Sequence, residues 1–206
     1  MNIESVGVLG AGQMGNGIAQ VAACAGFQVT MVDIKQEYVD KGLAAIERSL
    51  GKLVAKERMS EQDAASALAR VSISTDKTAV SDSDLVVEAI PEIPDLKFST
   101  FAELDGICKP STILASNTSS ISINEIAAAT SRPERVIGMH FMNPVPIMKL
   151  VEIINGAQTS DEVNAAVVRV VERMGKTALS CNDSPGFVSN RILCPMLNEA
   201  ILTLQE

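Results

Sequence analysis

The chain has 206 residues and a formal charge of −8, from 17 Lys and Arg against 25 Asp and Glu. With 5 Phe, 1 Tyr and 0 Trp it offers no base-stacking platform, and its acidic balance gives no footprint for a phosphate backbone, so nucleic acid is excluded as a partner. No apolar run nears the roughly 18 residues of a membrane span, and Met1–Glu4 carries neither the basic nor the apolar stretch of a secretory signal, so no membrane role is expected.

Short apolar runs alternate with helical spacing along the chain. Val6–Leu9 reads as a buried strand closed by Gly10, and Met14–Ala25 as a helix ended by Gly26. Gln28–Val32 is the next strand, finishing at Asp33. Val39, Leu43, Ile46, Leu50 and Leu53 recur at helical intervals and predict a long helix. Further strands are expected at Val71–Ile73, Leu85–Val87, Thr112–Leu114 and Val136–Met139. Ser122 with Glu125 predicts a capping box before Ile126–Ala128, and Thr159 with Glu162 another, opening a helix to about Met174. Asp183-Ser184-Pro185-Gly186 is a turn signal, after which Phe187–Leu204 reads as one helix that tolerates Pro195.

Strands alternating with helices predict an α/β fold, a mainly parallel sheet covered on both faces and doubly wound by right-handed crossovers. Residues 1–184 are expected to form this domain. The last helix needs a surface for its apolar side, so residues 185–206 read as the start of a second, all-helical domain whose remainder lies outside this chain. Cys24, Cys108, Cys181 and Cys194 are scattered, no CxxC occurs, and there is one histidine, so no metal site is expected. The cysteines read as small buried hydrophobes in a reducing compartment, which suggests the cytoplasm.

Gly10-Ala11-Gly12-Gln13-Met14-Gly15 is a GxGxxG between a strand and a helix. The first glycine permits a tight turn, the second lets backbone amides approach a pyrophosphate, and the third allows close helix–strand packing. The helix start adds oriented N–H groups and partial positive charge. Asp33, at the end of the second strand, stands where a carboxylate accepts from the adenosine ribose hydroxyls. Loop, helix and acid together predict a Rossmann dinucleotide site, for NAD rather than NADP, because Asp33 would repel a 2′-phosphate.

Five segments carry a resemblance: residues 10–15, Val87-Glu88-Ala89-Ile90, Ser116-Asn117-Thr118-Ser119-Ser120, His140-Phe141-Met142-Asn143-Pro144, and Ser184 to Arg191. In this order they resemble the 3-hydroxyacyl-CoA dehydrogenase family, in its bacterial branch, over essentially the whole chain. The resemblance implies NAD-dependent oxidation of short-chain (S)-3-hydroxyacyl-CoA to 3-oxoacyl-CoA, and a homodimer in the complete protein, its contacts carried by the helical domain. A chain that ends one helix into that domain would turn over slowly.

The resemblance makes His140 the catalytic base and Glu152 its acidic partner; read alone, His140 is a core histidine, while Glu152, a carboxylate in an apolar strand, calls for a partner or else faces solvent. An imidazole suits removal of an alcohol proton near neutrality, and a carboxylate can orient it. Ser119 and Asn190 match substrate-side hydrogen-bonding residues, Ser119 also touching cofactor and acyl-CoA. Glu92, Lys97 and Asn143 match cofactor contacts near the nicotinamide; alone, Glu92 and Lys97 read as a surface pair. Ser49, Lys52 and Lys56 share a helix face, extended by Arg48, and the resemblance puts coenzyme A there. Two other readings stay open. One is a non-catalytic dinucleotide-binding or structural member of the family, and the other is a different Rossmann dehydrogenase acting on free hydroxy acids.

Overall fold

The structure, a computed structural model, describes residues 1–205. In chain order the strands and α-helices are β1 Ser5–Leu9, α1 Gln13–Cys24, β2 Gln28–Val32, α2 Gln36–Ala55, α3 Glu61–Leu68, β3 Val71–Ser74, β4 Leu85–Glu88, α4 Pro94–Ile107, β5 Ile113–Ser116, α5 Ile123–Ala128, β6 Val136–Phe141, β7 Leu150–Asn155, α6 Asp161–Arg173, β8 Thr177–Asn182 and α7 Ser189–Gln205. The strands form one sheet in the order β3-β2-β1-β4-β5-β6-β7-β8. It is parallel except where β7 meets β6 antiparallel. The doubly wound reading is therefore borne out, and the order reverses between β1 and β4, where such sheets open a crevice for ligands.

Both faces are covered. Ile18, Val39, Ile46, Val167 and Val171 pack on one side of the sheet; Phe101, Leu104, Ile123 and Ile126 pack on the other. This is why β4, β5 and β6 are buried along their whole length and read as unbroken apolar runs rather than alternating ones.

The one antiparallel pairing positions the chemistry. The connection 142–149 contains no helix, and a parallel crossover needs a dozen or more residues, so β7 returns beside β6 in the opposite sense. Its register sets His140 opposite Glu152. α6 then provides the crossover that lets β8 run parallel to β7.

Several expectations need correcting. α6 is capped by Ser160, whose side chain accepts from the Val163 amide; Thr159 instead donates to the Val136 carbonyl and accepts from the Gly156 amide. The final helix begins at Ser189, not Phe187, because Gly186 and Phe187 both adopt positive φ, 77° and 49°. Two of the four cysteines, Cys24 and Cys194, are exposed rather than buried. α3, α4 and β8 carried too weak a pattern to be read; the apolar residues of α4 do not gather on one side.

The start of β1 is pinned to the start of β4 by Asp84. Its carboxylate accepts from the amides of Glu4 and Ser5, from the Ser5 hydroxyl and from Lys109. Burial alone would raise its pKa, but these bonds outweigh it and lower it to about 2. Stabilisation from such a group is complete above the unfolded carboxylate value and is lost as pH falls through the folded one. Asp84→Asn is therefore expected to cost about 1 kcal/mol at pH 7, discounted for its partial exposure. In parallel urea titrations the difference from the parent should shrink steadily as pH falls from about 4 towards 2.

Candidate active site

The loop between β1 and α1 closes the crevice from one side. Gly10 has φ +96°, and a Cβ there would lie 2.5 Å from the Ala89 carbonyl oxygen. A Cβ on Gly15 would lie 1.7 Å from the Gly10 carbonyl oxygen, so α1 can approach its own strand only without one. Gly12 differs, with nothing within 4 Å of its position. The backbone there is open to an incoming group, and the amides of the first turn of α1 have no partner within the helix. An anionic diphosphate fits this cradle.

Asp33 faces the loop from the end of β2. Its two oxygens accept from the Ala11 and Ile34 amides, at 2.7 Å each. A cleft of about 540 Å³ runs from Gly10 and Gly12 past Asp33 to Ile90 and Leu96. Open backbone at one end and a carboxylate further along the cleft suit NAD. Met14 lines the same cleft, while Gln13 donates to the side-chain oxygen of Asn143 at 3.1 Å, joining the loop to the segment after β6.

His140 lies near the end of β6 and is 6% exposed. Its Nδ1 is 2.7 Å from Glu152 Oε2. The other oxygen, Oε1, accepts from the amides of Val188 and Ser189, at 3.0 and 2.8 Å. Burial by itself would raise the Glu152 pKa; the hydrogen bonds from His140 and from the Ser189 and Val188 amides outweigh it and hold the carboxyl below its ordinary value. An ionised carboxylate only accepts, so Nδ1 carries the proton and Nε2 is the basic nitrogen. The solvent-facing reading of Glu152 is overturned, since it is fully buried. Phe187 meets the imidazole edge-on, its centroid 5.8 Å away. The left-handed turn that keeps Phe187 out of the helix thus also walls the histidine.

Ser119 sits on the exposed turn after β5, and its carbonyl accepts from the Asn190 side chain at 3.4 Å. The turn is held by Glu92, whose Oε1 accepts from the amides of Ser119 and Ser120 and from the Thr118 hydroxyl. Burial would push the Glu92 carboxyl up, but the Thr118 and Ser119 hydrogen bonds and the Lys97 charge bring it below the usual range. Lys97 is not a surface residue. Its side chain is 1% exposed, and its ammonium lies 2.6 Å from the buried Glu88 and 3.1 Å from Glu92.

The structure thus gathers His140, Glu152, Ser119 and Asn190 at the carboxyl edge of the sheet, with Glu92 and Asn143 tied to the same edge. It leaves Ser49, Lys52 and Lys56 apart, near the end of α2. Ser49 is half-buried, and the two lysines are exposed with no ion pair among the described residues. Sequence reasoning missed four contributors: Glu88, Ser116, Thr118 and the paired amides of Val188 and Ser189. Glu88 did leave a signal, a carboxylate closing an apolar strand, the same pattern that marks Glu152.

The profile described as 3-hydroxyacyl-CoA dehydrogenase, NAD binding domain, matches residues 5–184. The chain is 56% identical to a probable 3-hydroxybutyryl-CoA dehydrogenase of Deinococcus radiodurans, over 97% of this chain and 72% of that protein. It is 52% identical to a probable enzyme of the same name from Bacillus subtilis, over 100% and 72%. Among solved structures, the (S)-3-hydroxybutyryl-CoA dehydrogenase of Ralstonia eutropha superposes with a TM-score of 0.97 at 52% identity, over 99% of this chain and 72% of that one. A profile match across most of the chain, together with these identities, shows that the chain belongs to the 3-hydroxyacyl-CoA dehydrogenase family and carries its NAD-binding domain.

Proposed function

We propose that the protein oxidises short (S)-3-hydroxyacyl-CoA thioesters to 3-oxoacyl-CoA with NAD, and runs the reverse reduction of acetoacetyl-CoA. The observation that carries this reading is the buried His140–Glu152 pair beside Ser119 and Asn190, at the edge of a dinucleotide crevice. His140 takes the proton of the 3-hydroxyl on Nε2. Glu152 holds the ring through Nδ1 and stabilises the imidazolium that forms. NAD, held by the cradle of residues 10–15 and Asp33, would supply the hydride acceptor for C3. Ser119 and Asn190 orient the 3-oxygen and the thioester, a contribution that often forms a large part of the rate. The cradle of residues 10–15 holds the diphosphate and Asp33 the ribose, with Glu92 and Asn143 on the nicotinamide side. Lys52 and Lys56, beside Ser49, meet the phosphates of coenzyme A.

α7 has no buried residue, and Ile192, Met196 and Ile201 are more than half exposed. It is the first element of a helical domain that completes the substrate site and forms the homodimer. The four unpaired thiols suit a reducing compartment, the cytoplasm.

The test is NADH consumption with acetoacetyl-CoA set against free acetoacetate. Oxidation with the thioester alone is expected. Equal rates would point to a hydroxy-acid dehydrogenase, and NADH binding with no consumption to a non-catalytic protein. By fluorescence titration NADH should bind about tenfold or more tightly than NADPH, because Asp33 repels a 2′-phosphate. Asp33→Ala should narrow that gap, and equal affinities in the parent would defeat the assignment of Asp33.

A further inference from the structure

We propose that Glu88 is a positioning residue of this reaction: with Lys97 it holds the turn that carries Ser119 in place against His140 and the cofactor wall. The proposal rests on the reading above, in which Ser119 faces the substrate. A buried ion pair contributes little net stability, and apolar replacements are often neutral or better. Glu88 is fully buried and Lys97 nearly so, so their pairing calls for a reason other than stability.

The hydrogen bonds supply one. The turn 117–120 belongs to no helix or strand, so its amides must find partners elsewhere. Three of the four, those of residues 118–120, trace to the Glu88 carboxylate through Ser116 or through Lys97 and Glu92; the fourth meets its backbone. The Asn117 amide donates to the Glu88 carbonyl at 2.8 Å. The Thr118 amide donates to Ser116 Oγ at 3.1 Å, and that hydroxyl donates to Glu88 Oε2 at 2.7 Å. The amides of Ser119 and Ser120 donate to Glu92 Oε1, at 2.8 and 3.2 Å, while Glu92 Oε2 is held by Lys97, which Glu88 Oε1 anchors.

The same residue reaches the two neighbouring parts of the site. Glu88 Oε1 accepts from the Ile90 amide at 2.7 Å, and Ile90 lines the cofactor cleft. The Asn117 side chain accepts from the Phe141 amide at 2.9 Å, one residue after His140. One buried carboxylate therefore fixes the cleft wall and the Ser119 turn, while the backbone carbonyl of the same residue holds Asn117 and, through it, the end of β6. Lys97, matched by resemblance to a cofactor contact, acts here through Glu88 and Glu92.

The experiment uses the full chain with Glu88→Gln and Lys97→Met combined, which leaves no unpaired buried charge. Its thermal midpoint should stay within about 3 °C of the parent. Its kcat with acetoacetyl-CoA should fall about tenfold or more, with KM for NADH within about threefold. Hydrogen exchange at the amides of residues 118–120 should quicken about tenfold, with β4 and β5 unchanged. Parent kcat, or parent exchange at 118–120, in the folded double variant overturns the proposal. Ser116→Ala cuts one branch without touching a charge and serves if the double variant does not fold. It should quicken exchange at the Thr118 amide and lower kcat about threefold, and no change in either overturns the proposal. If the parent itself does not turn over acetoacetyl-CoA, the reading of the reaction fails and the role in it falls too, while exchange at 118–120 still decides whether Glu88 holds the turn.

Discussion

Replacing His140 by Gln is expected to lower kcat by about 10² to 10⁴, the usual scale of losing a general acid–base group. Affinity for NADH should stay within about twofold. The reason for the split is spatial. The cradle of residues 10–15 and Asp33 share no hydrogen bond with His140, whose partner is Glu152. Glutamine is close in size, so Phe187 keeps its neighbour, and Glu152 keeps the two amides of Val188 and Ser189. What disappears is the basic Nε2. Steady-state kinetics with acetoacetyl-CoA, beside fluorescence titration of NADH, separate the two quantities. Near-parent turnover would make His140 a core residue and end the proposed mechanism.

The second large effect contrasts two glycines of one loop. Gly15→Ala places a Cβ 1.7 Å from the Gly10 carbonyl oxygen, so either α1 or the loop must move. Such a shift costs about 1–3 kcal/mol, which in a domain of this size lowers the thermal midpoint by roughly 2–12 °C. NADH binding should be lost with it. Gly12→Ala has a normal φ of −63° and nothing within 4 Å. Its midpoint should stay within about 1 °C of the parent, while NADH affinity falls at least about tenfold, because the new methyl stands where the diphosphate meets the backbone. Calorimetry and titration on the two variants read this directly. A Gly12→Ala protein that binds NADH as the parent does would show that the diphosphate lies elsewhere.

The sequence by itself determined the parts whose cause is local. Apolar runs bounded by glycine placed β1, α1 and β2, and the GxGxxG between them specified the turn, because tight backbone approach needs glycine wherever the rest of the chain lies. Asp33 followed from its place at a strand end. His140 and Glu152 were legible as a pair only through family resemblance, since periodicity could not say that β7 returns antiparallel and sets one opposite the other. The tertiary structure decided that, and with it the fate of three charges. Glu152 is buried because His140 and the start of α7 satisfy it, Lys97 because Glu88 lies beneath it, and Glu88 because Ser116 and the Ile90 amide close around it. Moving a charge out of water is costly unless partners meet it, and here those partners come mostly from other elements of the fold. Local pattern records which face of a strand or helix is apolar; it carries no record of which distant group will stand opposite.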